Sequence, residues 1–106
     1  MKVVSADEVM AYASADARLK NFFDEGKVIM GMAVFPPGAR VPREGTGVHD
    51  ADEYSFILKG SLLSMSGGKE YRIKSGQATL IPQGEEHWSL NDTDEDCEVL
   101  WVLVKK

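Results

Sequence analysis

A chain of 106 residues, 43% of them hydrophobic, has material for one packed core and too little for two. Seventeen acidic against twelve basic residues leave a formal net charge of -5, which argues against nucleic acid and anionic membrane surfaces as partners, because both reward a basic patch. Cys97 is the single cysteine, so neither an internal disulfide framework nor a cysteine-based zinc site is available.

The chain opens on Met1-Lys2-Val3-Val4-Ser5-Ala6-Asp7-Glu8, which turns acidic at once and does not read as a secretory signal. Its longest apolar run, Val99 to Val104, is far short of a membrane span. A cytoplasmic protein is therefore expected. Ser5 and Glu8 have the spacing of a capping box, which predicts a short helix to about Ala13 and an irregular turn over 15–20. On this reading residues 1–26 are a helical segment and residues 27–106 a β-barrel domain.

From Lys27 the texture changes. Val28 to Phe35 reads as a strand, and Pro36-Pro37-Gly38 ends it. Arg40 to Arg43 is extended, with Pro42 marking an edge. Tyr54 to Lys59 is a strand. Leu62–Ser66 and Lys69–Ile73 form a hairpin about Gly67-Gly68, a pair that accepts the positive backbone angles of a two-residue turn. Strands over 79–81, 86–90 and 98–104 follow, with the acidic stretch from Asn91 to Asp96 as a solvated loop. Short strands separated by frequent turns predict an all-β sandwich or barrel. Val99, Trp101 and Leu103 share one face of the last strand, and Leu100, Val102 and Val104 share the other. One face fills the interior. The other needs a cover, from the N-terminal helix or from a second copy in a homodimer.

The chain's two histidines sit in two runs of unusual spacing. The first is His49-Asp50-Ala51-Asp52-Glu53, then six residues to Gly60. The second is Gly76, five residues, Pro82, one residue, Gly84, two residues, His87, three residues, Asn91. Two histidines and a carboxylate make a facial set of ligands for a divalent metal. On an unbroken strand His49 and Glu53 would stand roughly 13 Å apart, too far for ligands that bond one ion at about 2.0–2.2 Å. If both bind, Asp50-Ala51-Asp52 must reverse the chain, a task to which aspartate is suited. A surface His49 and a packed core His87 form the plainer alternative that the residues alone leave open.

These runs resemble the two motifs of the cupin superfamily. The second motif is matched in full by Gly76, Pro82, Gly84, His87 and Asn91. The first is matched in its latter part by His49, Glu53 and Gly60. It departs at Gly47, where the superfamily has a further histidine, and its leading glycine is not at the expected offset. The resemblance spans residues 28–104 and implies a jelly-roll barrel of six to eight strands with a short N-terminal helix added. It also implies that His49, Glu53 and His87 project inward on to one divalent transition metal (iron, manganese, nickel or zinc). The fourth ligand has no counterpart here. Small cupins resembling this one include isomerases, lyases and dioxygenases acting on small polar metabolites. Cupins with incomplete motifs include non-catalytic ligand-binding or accessory proteins.

Other residues near the expected pocket carry weaker signals. Arg40 and Arg43 have the planar fork that clamps a substrate carboxylate, although solvated edge arginines are the commoner case. Alternation from Glu53 points Ser55 and Ile57 into the pocket and Tyr54, Phe56 and Leu58 away from it. Ser89 shares the side of His87, and Trp88 faces the opposite way. Trp88 and Trp101 read as core or interface aromatics. Nothing in the sequence selects Tyr54 or Tyr71 as a proton donor. Asn91 reads as a turn-stabilising residue. Glu85 and Glu86 read as solvated loop acids, unless their loop folds over the pocket mouth. The expected partner is a small-molecule ligand.

Overall fold

The computed structural model describes every residue from Met1 to Lys106. Ten strands form two antiparallel sheets. In chain order they are β1 (Tyr12–Ser14), β2 (Ala17–Asp24), β3 (Val28–Phe35), β4 (Arg40–Val41), β5 (Asp52–Lys59), β6 (Ser61–Ser66), β7 (Lys69–Lys74), β8 (Ala78–Ile81), β9 (His87–Leu90) and β10 (Cys97–Val104). One sheet runs β1-β2-β3-β10-β5-β8 and the other β4-β9-β6-β7. The crossovers between them make the jelly-roll barrel. No helix is long and apolar enough to cross a membrane.

Side-chain alternation sets the layers. Cys97, Val99 and Trp101 of β10 point inward, as do Ala33 and Phe35 of β3 and Ile57 of β5. They meet Leu62 of β6 in one core. β3 and β10 pair over their full length, and Trp101 lies opposite Gly31. A Cβ at Gly31 would stand 2.4 Å from Trp101 Cζ2 and 2.3 Å from the Lys20 carbonyl oxygen. Only glycine allows the indole to lie so close to the strand.

The N-terminal helix is the main correction to the expected elements. Only one 3-10 turn forms, Ala6–Glu8, and the Ser5 side chain makes no capping bond. Residues 12–24, placed within a helical segment, are instead the β1-β2 hairpin, closed at Ala15 with φ of 52°. The alternation Ala17, Arg18, Leu19, Lys20 has the period of a strand. β2 pairs with the free edge of β3 and buries Ala17 in the core. Tertiary pairing has overridden a weak local helix preference. The segment 1–26 therefore extends the barrel sheet and leaves its outer face uncovered. Tyr54, Phe56 and Leu58 stay 46%, 40% and 47% exposed there.

Asn91 does more than stabilise a turn. It is fully buried, and its side-chain amide donates to the carbonyls of Phe35 and Glu95, each at 2.7 Å. Its Oδ1 accepts from the backbone N–H and hydroxyl of Thr93 at 3.0 and 2.7 Å. The end of β9 is thus tied to the end of β3 across the barrel. An Asn91→Ala change strands buried polar groups at a cost of about 2 kcal/mol. A fall in Tm of about 10 °C is expected by calorimetry, and an unchanged Tm would contradict the role.

Candidate metal centre

The two histidine runs meet because their loops are bonded to each other. The Asp52 carboxylate accepts the Gln83 backbone N–H at 2.9 Å, and the Gln83 side-chain amide donates to Asp50 at 2.7 Å. The Gly84 N–H donates to the His49 carbonyl at 3.0 Å. The turn Pro82-Gln83-Gly84 is thereby seated on the reversal at 50–52, and the chain then enters β9 with His87. His87 and Gly47 exchange both backbone hydrogen bonds, at 2.9 and 3.0 Å, as an isolated antiparallel bridge.

The reversal places His49 Nε2 3.2 Å from Glu53 Oε1, where an extended strand would hold the two residues far apart. The rings of His49 and His87 have centroids 4.9 Å apart. One ligand atom from each of His49, Glu53 and His87 lies within 4.8 Å of the others. Small side-chain rotations bring two imidazoles and a carboxylate at that spacing to one ion at about 2.0–2.2 Å. His87 is buried, and its Nδ1 lies 3.0 Å from the Glu85 carbonyl. An Nδ1–H donated there leaves Nε2 with the free lone pair that a metal needs. The donor set, two nitrogens and one oxygen, suits iron, manganese, nickel or zinc.

Charge is arranged to match. The hydrogen bond to Glu53 raises the His49 pKa above 6.5, helped by the carboxylate's charge and opposed by burial. A cation held by His49 and Glu53 would take the place of that proton. Asp52 titrates below the ordinary value of 3.8, first because of the Gln83 N–H and then because of Lys106, whose Nζ stands 3.0 Å away.

A cavity of about 750 Å³ runs from this cluster into the barrel, within the size range of small-molecule sites. Ser55 lines it, as the alternation predicts, and so do Ser64 and Ser89, whose hydroxyls are 2.7 Å apart. Ile57, Val99 and Trp101 line its apolar part. Tyr71 also borders the cavity, whereas Tyr54 faces outward.

Arg40 and Arg43 are not clamps for a ligand, because their guanidinium groups are engaged elsewhere. Arg40 donates to the carbonyls of Pro42 and Gly45 at 2.8 and 3.0 Å and lies over the Trp88 ring. Arg43 bonds Asp16 and the Ala15 carbonyl at 3.0 and 3.2 Å. Neither lines the cavity. Together they brace the loop that presents Gly47. Lining residues with no counterpart in the sequence reading include Ser64, Ser66 and Arg72. The arginine is held by Asp92 and Ser61. Glu85, expected in solvent, lines the cavity and accepts a hydrogen bond from Ser66. A register between β6 and β9 was needed to find it, and no local pattern encodes that register.

Two outcomes are expected. A carboxylate with a lowered folded pKa adds stability above its unfolded pKa, and that stability is lost as pH falls through the folded value. Asp52→Asn should therefore lower the urea midpoint at neutral pH, and the gap to the parent should close below about pH 3.8. A gap independent of pH would show that the carboxylate charge is not what holds the two loops. Gly47 is the direct cross-strand partner of His87, so a side chain there shares the face of the imidazole. A Cβ at Gly47 would meet nothing closer than Pro42 Cδ at 3.8 Å. Gly47→His should tighten zinc binding by roughly tenfold or more in a calorimetric titration. Unaltered affinity would mean that position 47 does not reach the ion.

Comparison with known proteins agrees with this fold. Residues 31–103 match the family described as the Cupin domain. No curated protein matches the chain. Among solved structures it resembles a predicted oxalate decarboxylase from Thermotoga maritima at 23% identity and a TM-score of 0.87, over 99% of this chain and 100% of the other. It resembles the polyketide cyclase RemF from Streptomyces resistomycificus at 20% identity and a TM-score of 0.81, over 100% and 80%. KdgF from a Halomonas species aligns at 13% identity and a TM-score of 0.81, over 100% and 96%. Identities this low speak to the fold, and the family match over most of the sequence shows that the chain belongs to the cupins.

Proposed function

We propose that this protein is a metal-dependent cupin enzyme acting on a small metabolite that presents oxygen donors to the metal. One observation carries the reading: His49, Glu53 and His87 converge at the wall of a cavity large enough for a small molecule. These three residues would hold the ion. A divalent metal held there supplies Lewis acidity toward a carboxylate, hydroxyl or keto oxygen. The hydroxyls of Ser55, Ser64 and Ser89 offer both donors and acceptors to the rest of a ligand. Ile57, Val99 and Trp101 exclude water from its apolar part. The expected ligand is thus polar at one end only.

The named relatives support chemistry on small molecules, one being described as a decarboxylase and another as a cyclase. Isomerase, lyase and dioxygenase reactions all fit three protein ligands with open positions. Oxygen uptake that depends on iron would single out the dioxygenase. Turnover with several divalent metals, without oxygen, would indicate an isomerase or lyase. Gly47 favours a second reading, a non-catalytic ligand-binding cupin whose metal site has decayed.

Elemental analysis of the purified protein beside His87→Ala separates the two. About one divalent transition metal per chain is expected in the parent, following the one-ion geometry of such sites, with most of it lost in the variant. Equal trace amounts in both would remove the metal centre and favour the ligand-binding reading.

A further inference from the structure

Glu85 occupies the turn just before β9, where a charged side chain has solvent within easy reach. Its carboxylate points instead toward Ser66, whose hydroxyl donates to Oε2, and both residues line the cavity. Gly67 opens that path: a Cβ there would stand 3.1 Å from Glu85 Cδ and Oε1. Ser66 is the register partner of His87, on the side of β9 away from Gly47. Directly opposed residues share a face. The inner face therefore carries Gly47, His87 and Ser66 in a row, each about 5 Å from the next. The Glu85 carboxylate is held at the Ser66 end of that row.

Two further observations make this arrangement unlike a loop clasp. No lysine or arginine forms an ion pair with Glu85; its side-chain partner is a neutral hydroxyl. The only arginine lining the cavity, Arg72, is already paired with Asp92. Glu53 and Glu85 thus both border the cavity that His49 and His87 line, with Glu85 outside the group whose ligand atoms lie within 4.8 Å of one another. A cation of charge two balances such a set, and the low dielectric of a partly enclosed site strengthens the attraction.

We propose that Glu85 is a fourth protein ligand of the metal centre: its carboxylate leaves Ser66 for the ion and completes the site from the β9 turn rather than from position 47. The proposal rests on the metal-binding reading above. It also explains how a cupin without a side chain at 47 keeps a four-ligand centre.

Titration with cobalt(II), followed by visible absorption, tests it on the intact chain. Glu85→Gln should weaken cobalt binding by at least about tenfold and alter the absorption bands that report coordination. Ser66→Ala frees the carboxylate and should leave binding unchanged or tighter. Adding Gly47→His to Glu85→Gln should restore affinity. Thermal melts of each variant establish that it is folded. If Ser66→Ala weakens binding as much as Glu85→Gln does, the pair is a structural clasp and the proposal fails. It also fails if Glu85→Gln binds cobalt as the parent does while His87→Ala does not. A parent protein that binds no cobalt overturns the metal centre and this proposal together.

Discussion

The contact on which the site depends is the one between the reversal at 50–52 and the turn at 82–84. The Asp52 carboxylate accepts the Gln83 N–H, and the His49 carbonyl accepts the N–H of Gly84. These bonds join segments more than thirty residues apart in sequence. Together with the bridge between Gly47 and His87 they fix His87 relative to His49 and Glu53, and three donors scattered on separate strands do not make a metal site. The carboxylate suits this task because it is nearly buried and holds its charge through a backbone donor and Lys106. A ligand set built on loops gains its precision from such second contacts. Here the donors from the turn are the main-chain N–H groups of Gln83 and Gly84, which any residue but proline would supply, and one of the acceptors is the Asp52 side chain.

The cavity behind the ligands carries a different instruction. Its walls near the metal ligands hold serines, and its remaining surface is largely apolar, with Trp101 fixed over Gly31. A wholly polar metabolite would leave the apolar part wet, and a hydrocarbon would leave the hydroxyls without partners. Either mismatch costs free energy on binding. On the function proposed above, the lining would favour molecules with an oxygen-bearing end and a less polar body. That narrows the small polar ligand expected from the family.

Much of this was legible in the sequence, for physical reasons that differ by element. The second histidine run pointed to the fold through its resemblance to the second cupin motif, whose glycines and proline mark bends that few other residues permit. The parity of β5 placed Ser55 and Ile57 inward, since strand alternation is strict wherever one face is buried. The need for a reversal between His49 and Glu53 followed from ligand bond lengths alone. The hairpin β1-β2 was missed because Ser5 and Glu8 imitate a helix start, while the strand is imposed by pairing with the edge of β3, the strand that follows it. The partners of Arg40 and Arg43, only weak candidates for a ligand clamp, were not legible for a related reason. Their true partners are backbone carbonyls and Asp16, and a carbonyl acceptor leaves no trace in residue identity. Glu85 depended on the register between β6 and β9, which emerges only once the sheet is assembled.

Gly47 shows how the site's coordination is separated from the barrel's stability. Its bridge to His87 uses only backbone groups, so the strand pairing that positions His87 is indifferent to the side chain at 47. Its φ is not in the left-handed region, and a Cβ would make only ordinary van der Waals contact with Pro42. Glycine at this position thus answers no conformational or packing demand, unlike Gly31. The fold leaves the position free, and on the metal-binding reading what stands there would change the number of ligands without changing the scaffold that presents them. A barrel built this way can gain or lose a ligand in one substitution, because the constraint that aligns the two histidine runs lies in the loops at 50–52 and 82–84.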